Sequence, residues 1–508
     1  MAKGCRVPAA ALLLVLAPAS RAELKFTPVV NLRESYTDNV NLTSAAQAQS
    51  QWLTDLSPGF ELSDNNQRVQ LRATYRQHLF YTPNHDIPNT QHSQAQALLD
   101  GRAAVIQDLF YFDAYGAISQ QAVSAFGPPV LDNGYTTNNR TRLKTFRVSP
   151  SLRHNFGSFA QTEVRYTRDS VSSDQNGLGN SSSNSLSASV AGGPAFHALN
   201  WGLQYFRQVV HDSITPNSSM QTTSGNVKYA LSQTFSLTGN GGYDKNEYQS
   251  VGDATAGKFW TGGFNWEPSG RSSLAASMGR HYFGKTFNLK ASHRSRGTVW
   301  SLNYDDSIST TRSNFLLPAT IDTAALVDRM LAATIPDPIQ RALAVQAYLH
   351  ATGLPPSLAD SVNYLSNRYF RQKQFQAAVA YKANHSTVMF SLVDTRRLGL
   401  SAFESDSLLL GSSNGTLNDN THQIGASVQW NLQLTARTAF NASLTNTHID
   451  SIDTGISSRN TAVSLMLNQQ IGARLTGALE VRHVMGSSGL SVGNYKENGV
   501  AASLNLQL

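Results

Sequence analysis

The most constraining stretch of the chain is Gln51–Tyr81, where residue character changes with a period of two. Val69, Leu71, Ala73 and Tyr75 alternate with Arg68, Gln70, Arg72, Thr74 and Arg76, after a polar turn at Ser63–Gln67. Alternation of this kind places one set on each face of a β-strand. One face is then apolar and the other carries three arginines. An antiparallel sheet with one face in water has this pattern. So does a barrel strand with its apolar face toward lipid and its polar face toward a wet lumen.

The rest of the chain separates the two. Charged residues make up 14% of the 508, against roughly 25% in soluble proteins. The hydrophobic fraction is 40%, and no run approaches the 18 or so apolar residues of a membrane helix. No linker or composition shift divides the chain. From Phe26 onward one unit repeats, an alternating stretch of about a dozen residues followed by a connection. Short connections (Asp64–Gln67, Gly157-Ser158, Ser232–Thr234, Gln433–Thr435) take turns with long ones (Asn39–Ser50, Ala122–Thr141, Leu398–Asn420). Only the link near Gly284-Lys285 breaks the length rule. The expectation is an all-β chain, a single transmembrane antiparallel β-barrel of about 22 strands, with 18–20 as the alternative count. An even count leaves both ends of the barrel on the short-turn side.

Residues 1–22 have the pattern of a secretory signal. Lys3 and Arg6 precede the apolar run Ala9–Ala17, and Ser20 and Ala22 form a small-residue cleavage site. Its removal takes Lys3, Arg6 and Arg21 with it, so the formal charge falls from +7 to +4. That is too small and too dispersed to imply nucleic acid as a partner. The only cysteine, Cys5, lies in the same segment, so the barrel, residues 23–508, has neither a disulfide nor a thiolate metal site. The expected destination is the outer membrane of a Gram-negative bacterium, with outer-membrane lipid as the surroundings.

The tryptophans agree with a barrel. Trp52 and Trp260 start strands that descend from the long-loop end, and Trp201, Trp266, Trp300 and Trp430 fall at the opposite ends. This is an aromatic girdle at two interfaces. The final stretch Glu497–Leu508 alternates Val500, Ala502, Leu504, Leu506 and Leu508 with polar or small residues. It resembles the signal read by barrel-assembly machinery, whose usual last residue is aromatic rather than leucine.

One segment, 312–365, departs from the pattern. Asp337 as cap, Pro338 at the first helical position and Gly353 at the end delimit a helix, and Asp322 caps another. It is expected as a helical extracellular insertion within the barrel.

Catalytic fingerprints are absent: there is no G-x-S-x-G, H-E-x-x-H, phosphate-binding loop or dinucleotide fingerprint. No catalytic, cofactor or metal residue is assigned, and the chain is not expected to be an enzyme. Three rim groups, His85/Asp86/His92, His211-Asp212 and His448/Asp450, keep an outer-membrane hydrolase as a lesser alternative. The lumen offers more. Arg68, Arg72, Arg76, Arg147, Arg153, Arg165, Glu163, Glu480 and Arg482 fall on the inward face, as do Asp100 and Asp113. The pairs Asp100/Arg102, Glu163/Arg165 and Glu480/Arg482 are two apart and share that face. Charges of both signs among Gln, Asn and Ser suit a neutral or mildly anionic polar solute such as a glycan.

The chain resembles the outer-membrane barrel proteins associated with PEP-CTERM/exosortase systems of Gram-negative bacteria. The likeness rests on Tyr36-Thr37-Asp38-Asn39-Val40, Ser57-Pro58-Gly59, Arg280-His281-Tyr282-Phe283-Gly284 and His293-Arg294-Ser295-Arg296 with Trp300 and Tyr304. It extends to Pro336-Asp337-Pro338, Arg341, Gly353-Leu354-Pro355 and Tyr364-Leu365-Ser366. The resemblance implies a surface role beside exopolysaccharide production, as a passive channel or scaffold, with polysaccharide or exopolysaccharide secretion proteins as partners. A non-conducting barrel that anchors or binds a partner is the alternative. The resemblance brings no catalytic residues.

Overall fold

Lys25–Thr37 (β1) pairs antiparallel with Gly493–Gln507 (β22), in register from Val29 opposite Gln507 to Thr37 opposite Gly499. That pairing closes a sheet of 22 strands into a barrel in the computed structural model. The structure describes residues 24–83, 91–129, 134–174, 180–248, 250, 255–316, 365–366, 368–401, 410, 414–489 and 493–508. The expected signal at 1–22 and nearly all of the expected helical insertion, 317–364, lie outside them.

Between the closing strands each strand pairs with the next. The order is β2 (Gln51–Asn65), β3 (Val69–Tyr81), β4 (Ser93–Ile106), β5 (Phe110–Ala122), β6 (Arg140–Phe156), β7 (Ala160–Ser173) and β8 (Ser181–Gly192). Then come β9 (Leu199–Asp212), β10 (Ser218–Ala230), β11 (Phe235–Glu247), β12 (Ala256–Ser269), β13 (Ser272–His281), β14 (Gly284–Arg294) and β15 (Thr298–Thr310). A short helix, α1 (Thr311–Leu316), precedes the insertion. The barrel resumes with β16 (Tyr369–Lys382), β17 (Ser386–Gly399), β18 (Asn420–Thr435), β19 (Thr438–Ser451), β20 (Ser457–Gln470) and β21 (Leu475–Ser488). The count is 22 rather than 18–20. Closure leaves no free sheet edge, which a strand in lipid cannot tolerate because its backbone groups have no water to bond.

The two faces follow the alternation. Leu62 lies opposite Ala73 and Phe60 opposite Tyr75 on the outside, while Gly59 lies opposite Arg76 on the inside. Outward apolar side chains such as Leu32, Leu203, Leu479 and Val500 are exposed all round the wall, as a lipid-facing band requires. Trp52, Trp260, Trp266, Trp300 and Trp430 are exposed on this face. Trp201 lies opposite outward Val227 and packs edge-on against Phe196.

The ends differ. At the short-turn end, connections are a few residues, with Asp108 and Gly157 in the left-handed region at φ 60° and 57°. At the other end, described parts of the long loops fold inward onto apolar wall residues. Leu42 and Tyr135 pack with Val484 and Tyr495. Phe126 and Leu417 pack with Ile449. Leu316 and Leu365, which bracket the insertion, pack together with Val123, Leu143 and Val171. The wall offers apolar residues there because the loops cover them. The β13–β14 link is Tyr282-Phe283, two residues before the expected place, since β14 begins at Gly284 with φ 120°.

Candidate functional site: the lumen wall

The inward face of β21, β22 and β1–β7 carries a charge network that crosses from strand to strand. At the barrel seam Arg33 of β1 donates to Glu480 of β21 at 3.0 Å. Arg482 of β21 meets Glu497 of β22 at 3.0 Å, and the Thr37 hydroxyl of β1 donates to the same carboxylate at 2.8 Å. Glu497 is fully buried, and a buried carboxylate persists only when paired and hydrogen-bonded. These contacts tie three strands across the closure.

Further round, Arg76 meets Glu61 at 3.3 Å. Asp113 takes Arg165 at 2.5 Å and Arg102 at 3.6 Å, while Glu163 takes Arg165 at 2.9 Å and Arg153 at 3.1 Å. Tyrosines complete the network. Arg102 and Arg153 both lie over the Tyr111 ring, at 5.5 and 4.8 Å, and Arg147 lies over Tyr115 at 5.5 Å. Cation–π contacts of this kind add attraction without adding charge. The result is a wall rich in ions with little net sign.

Of the residues expected to line the lumen, Arg72, Arg76, Arg147, Arg153, Arg165, Glu163, Glu480 and Arg482 share the inward face. Arg68 sits in the β2–β3 turn, at the short-turn mouth, and is exposed. Of the three same-strand pairs, only Glu163 and Arg165 meet closely. Arg102 turns to Asp113 on the next strand, while Arg72 stands opposite Asp100. Glu480 and Arg482 are 3.9 Å apart, and each has a closer partner on another strand. Neighbours across a ladder lie nearer than residues two apart along a strand, so cross-strand pairing wins.

The opposite wall has a different character. Between Arg397 near one end and Lys382 at the other, the inward residues of β16–β20 carry no charge. Gln372, Gln376, Ser391, Gln423, Ser427 and Gln429 lie here and are buried. Some polar groups on this wall bond across strands, as Ser391 to Ser427 at 2.7 Å and Asn431 to Asn441 at 2.7 Å, while Gln376 Nε2 and Gln429 Oε1 have no partner among the described residues.

One cluster has the composition of a hydrolytic triad and went unnoticed in the sequence. Asp55, Ser57 and His78 are buried together on the inward face of β2 and β3. The Ser57 hydroxyl donates to Asp55 Oδ1 at 2.7 Å, and His78 Nδ1 lies 2.8 Å from Asp55 Oδ2 and 3.0 Å from Ser57 Oγ. A serine nucleophile needs its hydroxyl on the imidazole nitrogen that does not face the acid. Here serine and aspartate share one nitrogen, and serine gives its proton to the carboxylate. The cluster holds two strands together and is not arranged for acyl transfer.

The rim groups are likewise dispersed. His211 points outward, whereas the adjacent Asp212 points inward and accepts from the Ile214 and Thr215 amides. His448 and Asp450 are 3.2 Å apart on the outer face. His92 is exposed, and His85 and Asp86 lie outside the described residues. Among the described residues no group of three or more His, Cys, Asp or Glu is placed to hold a metal. A cavity of about 200 Å³ opens at the long-loop end, between α1 and the tops of β9, β10 and β16. Arg312 in its lining pairs with Asp169 and so anchors α1 to β7.

No family model matches this chain, and no curated protein matches it. Solved structures do. The siderophore receptor PirA from Pseudomonas aeruginosa aligns over 96% of this chain and 82% of its own at 10% identity, with a TM-score of 0.45. The FrpB iron transporter from Neisseria meningitidis aligns over 97% and 83% at 9% identity, with a TM-score of 0.48. OprD from Pseudomonas aeruginosa aligns over 96% and 98% at 9% identity, with a TM-score of 0.33. At these identities the likeness is one of barrel fold, and no residue or ligand carries over.

Proposed function

We propose that this chain is a Gram-negative outer-membrane barrel that serves surface polysaccharide as a passive conduit or scaffold. The observation that carries this reading is the composition of the lumen wall. Its carboxylates are matched by arginines on neighbouring strands, in a sector that is half-exposed, and between Arg397 and Lys382 the inward residues of β16–β20 add no charge. Such a wall offers hydrogen bonds to a polar, near-neutral polymer and no strong field of one sign to select an ion. The resemblance to PEP-CTERM/exosortase barrels supplies the link to exopolysaccharide. Short turns then face the periplasm and long loops the exterior.

The inward packing of Leu42, Phe126, Tyr135 and Leu417 supports a second reading, a non-conducting barrel whose exterior face binds a partner. Planar-bilayer recording separates the two. Leu316 and Leu365 share one cluster, so 317–364 can be removed and the ends joined. The conduit reading expects steady conductance at least in that deletion variant. A silent barrel with and without the segment sinks it and leaves the scaffold.

A further inference from the structure

The β13–β14 hairpin is the shortest connection at the long-loop end, and its outward surface carries cations alone. Trp260 of β12 lies opposite Arg280 of β13, and Arg280 lies opposite Lys285 of β14. Lys258 stands two residues beyond Trp260 toward the long-loop end, opposite Tyr243. All three basic side chains are exposed. Like charges directly opposite on a ladder repel, yet among the described residues none of the three has an ion pair.

The carboxylates that face outward nearby are already engaged. Glu247 takes Lys245 at 2.7 Å, and Asp306 takes Arg371 at 2.7 Å. Arg371 also reaches the hairpin, donating from Nη1 to the Phe283 carbonyl at 3.1 Å and from Nη2 to the Lys285 carbonyl at 2.6 Å. Its charge is balanced by Asp306, so it neither adds to nor cancels the charge of the three. Asp244 and His281 meet at 2.9 Å on the inward face and do not reach this surface.

The cations stand level with, or just beyond, the girdle residue Trp260, and Met278 and Phe287 lie directly below as exposed apolar side chains. A lipid whose chains pack on Met278 and Phe287 carries its headgroup to the height of Arg280 and Lys285. Guanidinium binds phosphate through paired N–H donors, and ammonium binds it as a point charge.

We propose that Lys258, Arg280 and Lys285 form a binding site for the phosphate of an outer-leaflet lipid headgroup. The proposal rests on the outer-membrane reading, with the long-loop end outside. Bound phosphate relieves the repulsion between Arg280 and Lys285 and fixes this sector of the barrel at a set depth.

The test uses the full chain in detergent, loaded with lipid A bearing two phosphates or with its dephosphorylated form, and bound lipid counted by native mass spectrometry. Basic residues near a membrane surface each contribute roughly a fivefold preference for anionic lipid. The phosphorylated form should therefore be retained at least about tenfold more than the other. The variant Lys258→Gln, Arg280→Gln, Lys285→Gln should lose this preference, and Arg271→Gln with Lys382→Gln, at the short-turn rim, should keep it. Folding of each variant is checked by heat-modifiable mobility. If the triple variant fails to fold, Lys285→Gln alone should lower retention by about fivefold. Equal retention of both lipids, equal loss in the short-turn-rim variant, or full displacement by inorganic phosphate at equal concentration would overturn the proposal. Fractionation of the chain away from the outer membrane would instead refute the reading on which it rests.

Discussion

The two sides of the lumen solve one problem differently. On β21, β22 and β1–β7 the wall is ionic and partly wet, with Arg102 45% exposed. On β16–β20 it is uncharged and buried, with Ser391 2% exposed. Both bond part of their polar groups across neighbouring strands, and on the amide side Gln376 Nε2, Thr395 Oγ1 and Gln429 Oε1 have no partner among the described residues. An ion pair costs most to break where water is excluded, and on the ionic side the Arg482–Glu497 pair at the seam is buried in this way. The amide side relies on scattered hydrogen bonds of smaller worth, as between Ser391 and Ser427. Closure is pinned by charge, whereas on the far wall the side chains join neighbouring strands through scattered hydrogen bonds.

Substitution at each place sharpens that contrast. Glu497→Ala should be the most damaging change, because it leaves Arg482 and Thr37 without their buried acceptor. Breaking a buried pair costs about 3–5 kcal/mol, read as a fall in denaturant midpoint for the barrel folded into lipid vesicles. A loss below about 1 kcal/mol would mean that the seam is held by backbone pairing alone. Ser391→Ala, on the amide side, removes one hydrogen bond to Ser427 and should cost about 1 kcal/mol in the same assay. If it matched Glu497→Ala, the contrast between the walls would fail.

The expected fold was legible because apolar and polar residues alternate over most of the chain, and 22 short alternating runs admit little but a closed sheet. The lumen was legible only in part. Parity along a strand gives the face, so Arg72, Arg153 and Glu163 could be placed inside. It does not give the partner, which depends on register between strands. Arg33 and Glu480 are 447 positions apart, and no local pattern joins them. The inward loops were illegible for another reason. Val40, Leu42 and Leu417 stand in polar stretches and Phe126 in a short run of Ala, Gly and Pro, without sustained periodicity to announce burial. The Asp55–Ser57–His78 cluster likewise needs the β2–β3 register before its members meet.

The smallest effect belongs to the rim outside both walls. Burial raises the pKa of Asp174, but hydrogen bonds and charge from Arg142 and Lys144 outweigh it and hold the carboxyl below its ordinary 3.8. A depressed folded-state value means that the pair stabilises above pH 3.8 and that its contribution fades as pH falls through the depressed value. The pair is exposed, so its contribution is less than about 1 kcal/mol. Asp174→Asn should shift the unfolding midpoint slightly at pH 7 and progressively less as pH falls below 3.8. A large shift at pH 7 would place a rim ion pair on a level with the seam.

The lumen wall is balanced in charge, and its half-exposed ionic side is what a polar solute would meet. Reversal potential across a salt gradient tests it most directly, measured on single barrels lacking 317–364. The account predicts a value near zero, moving toward anion selectivity in Glu163→Gln with Glu480→Gln, where arginines lose their partners. Strong selectivity in the unsubstituted barrel, or no movement in that variant, would contradict it.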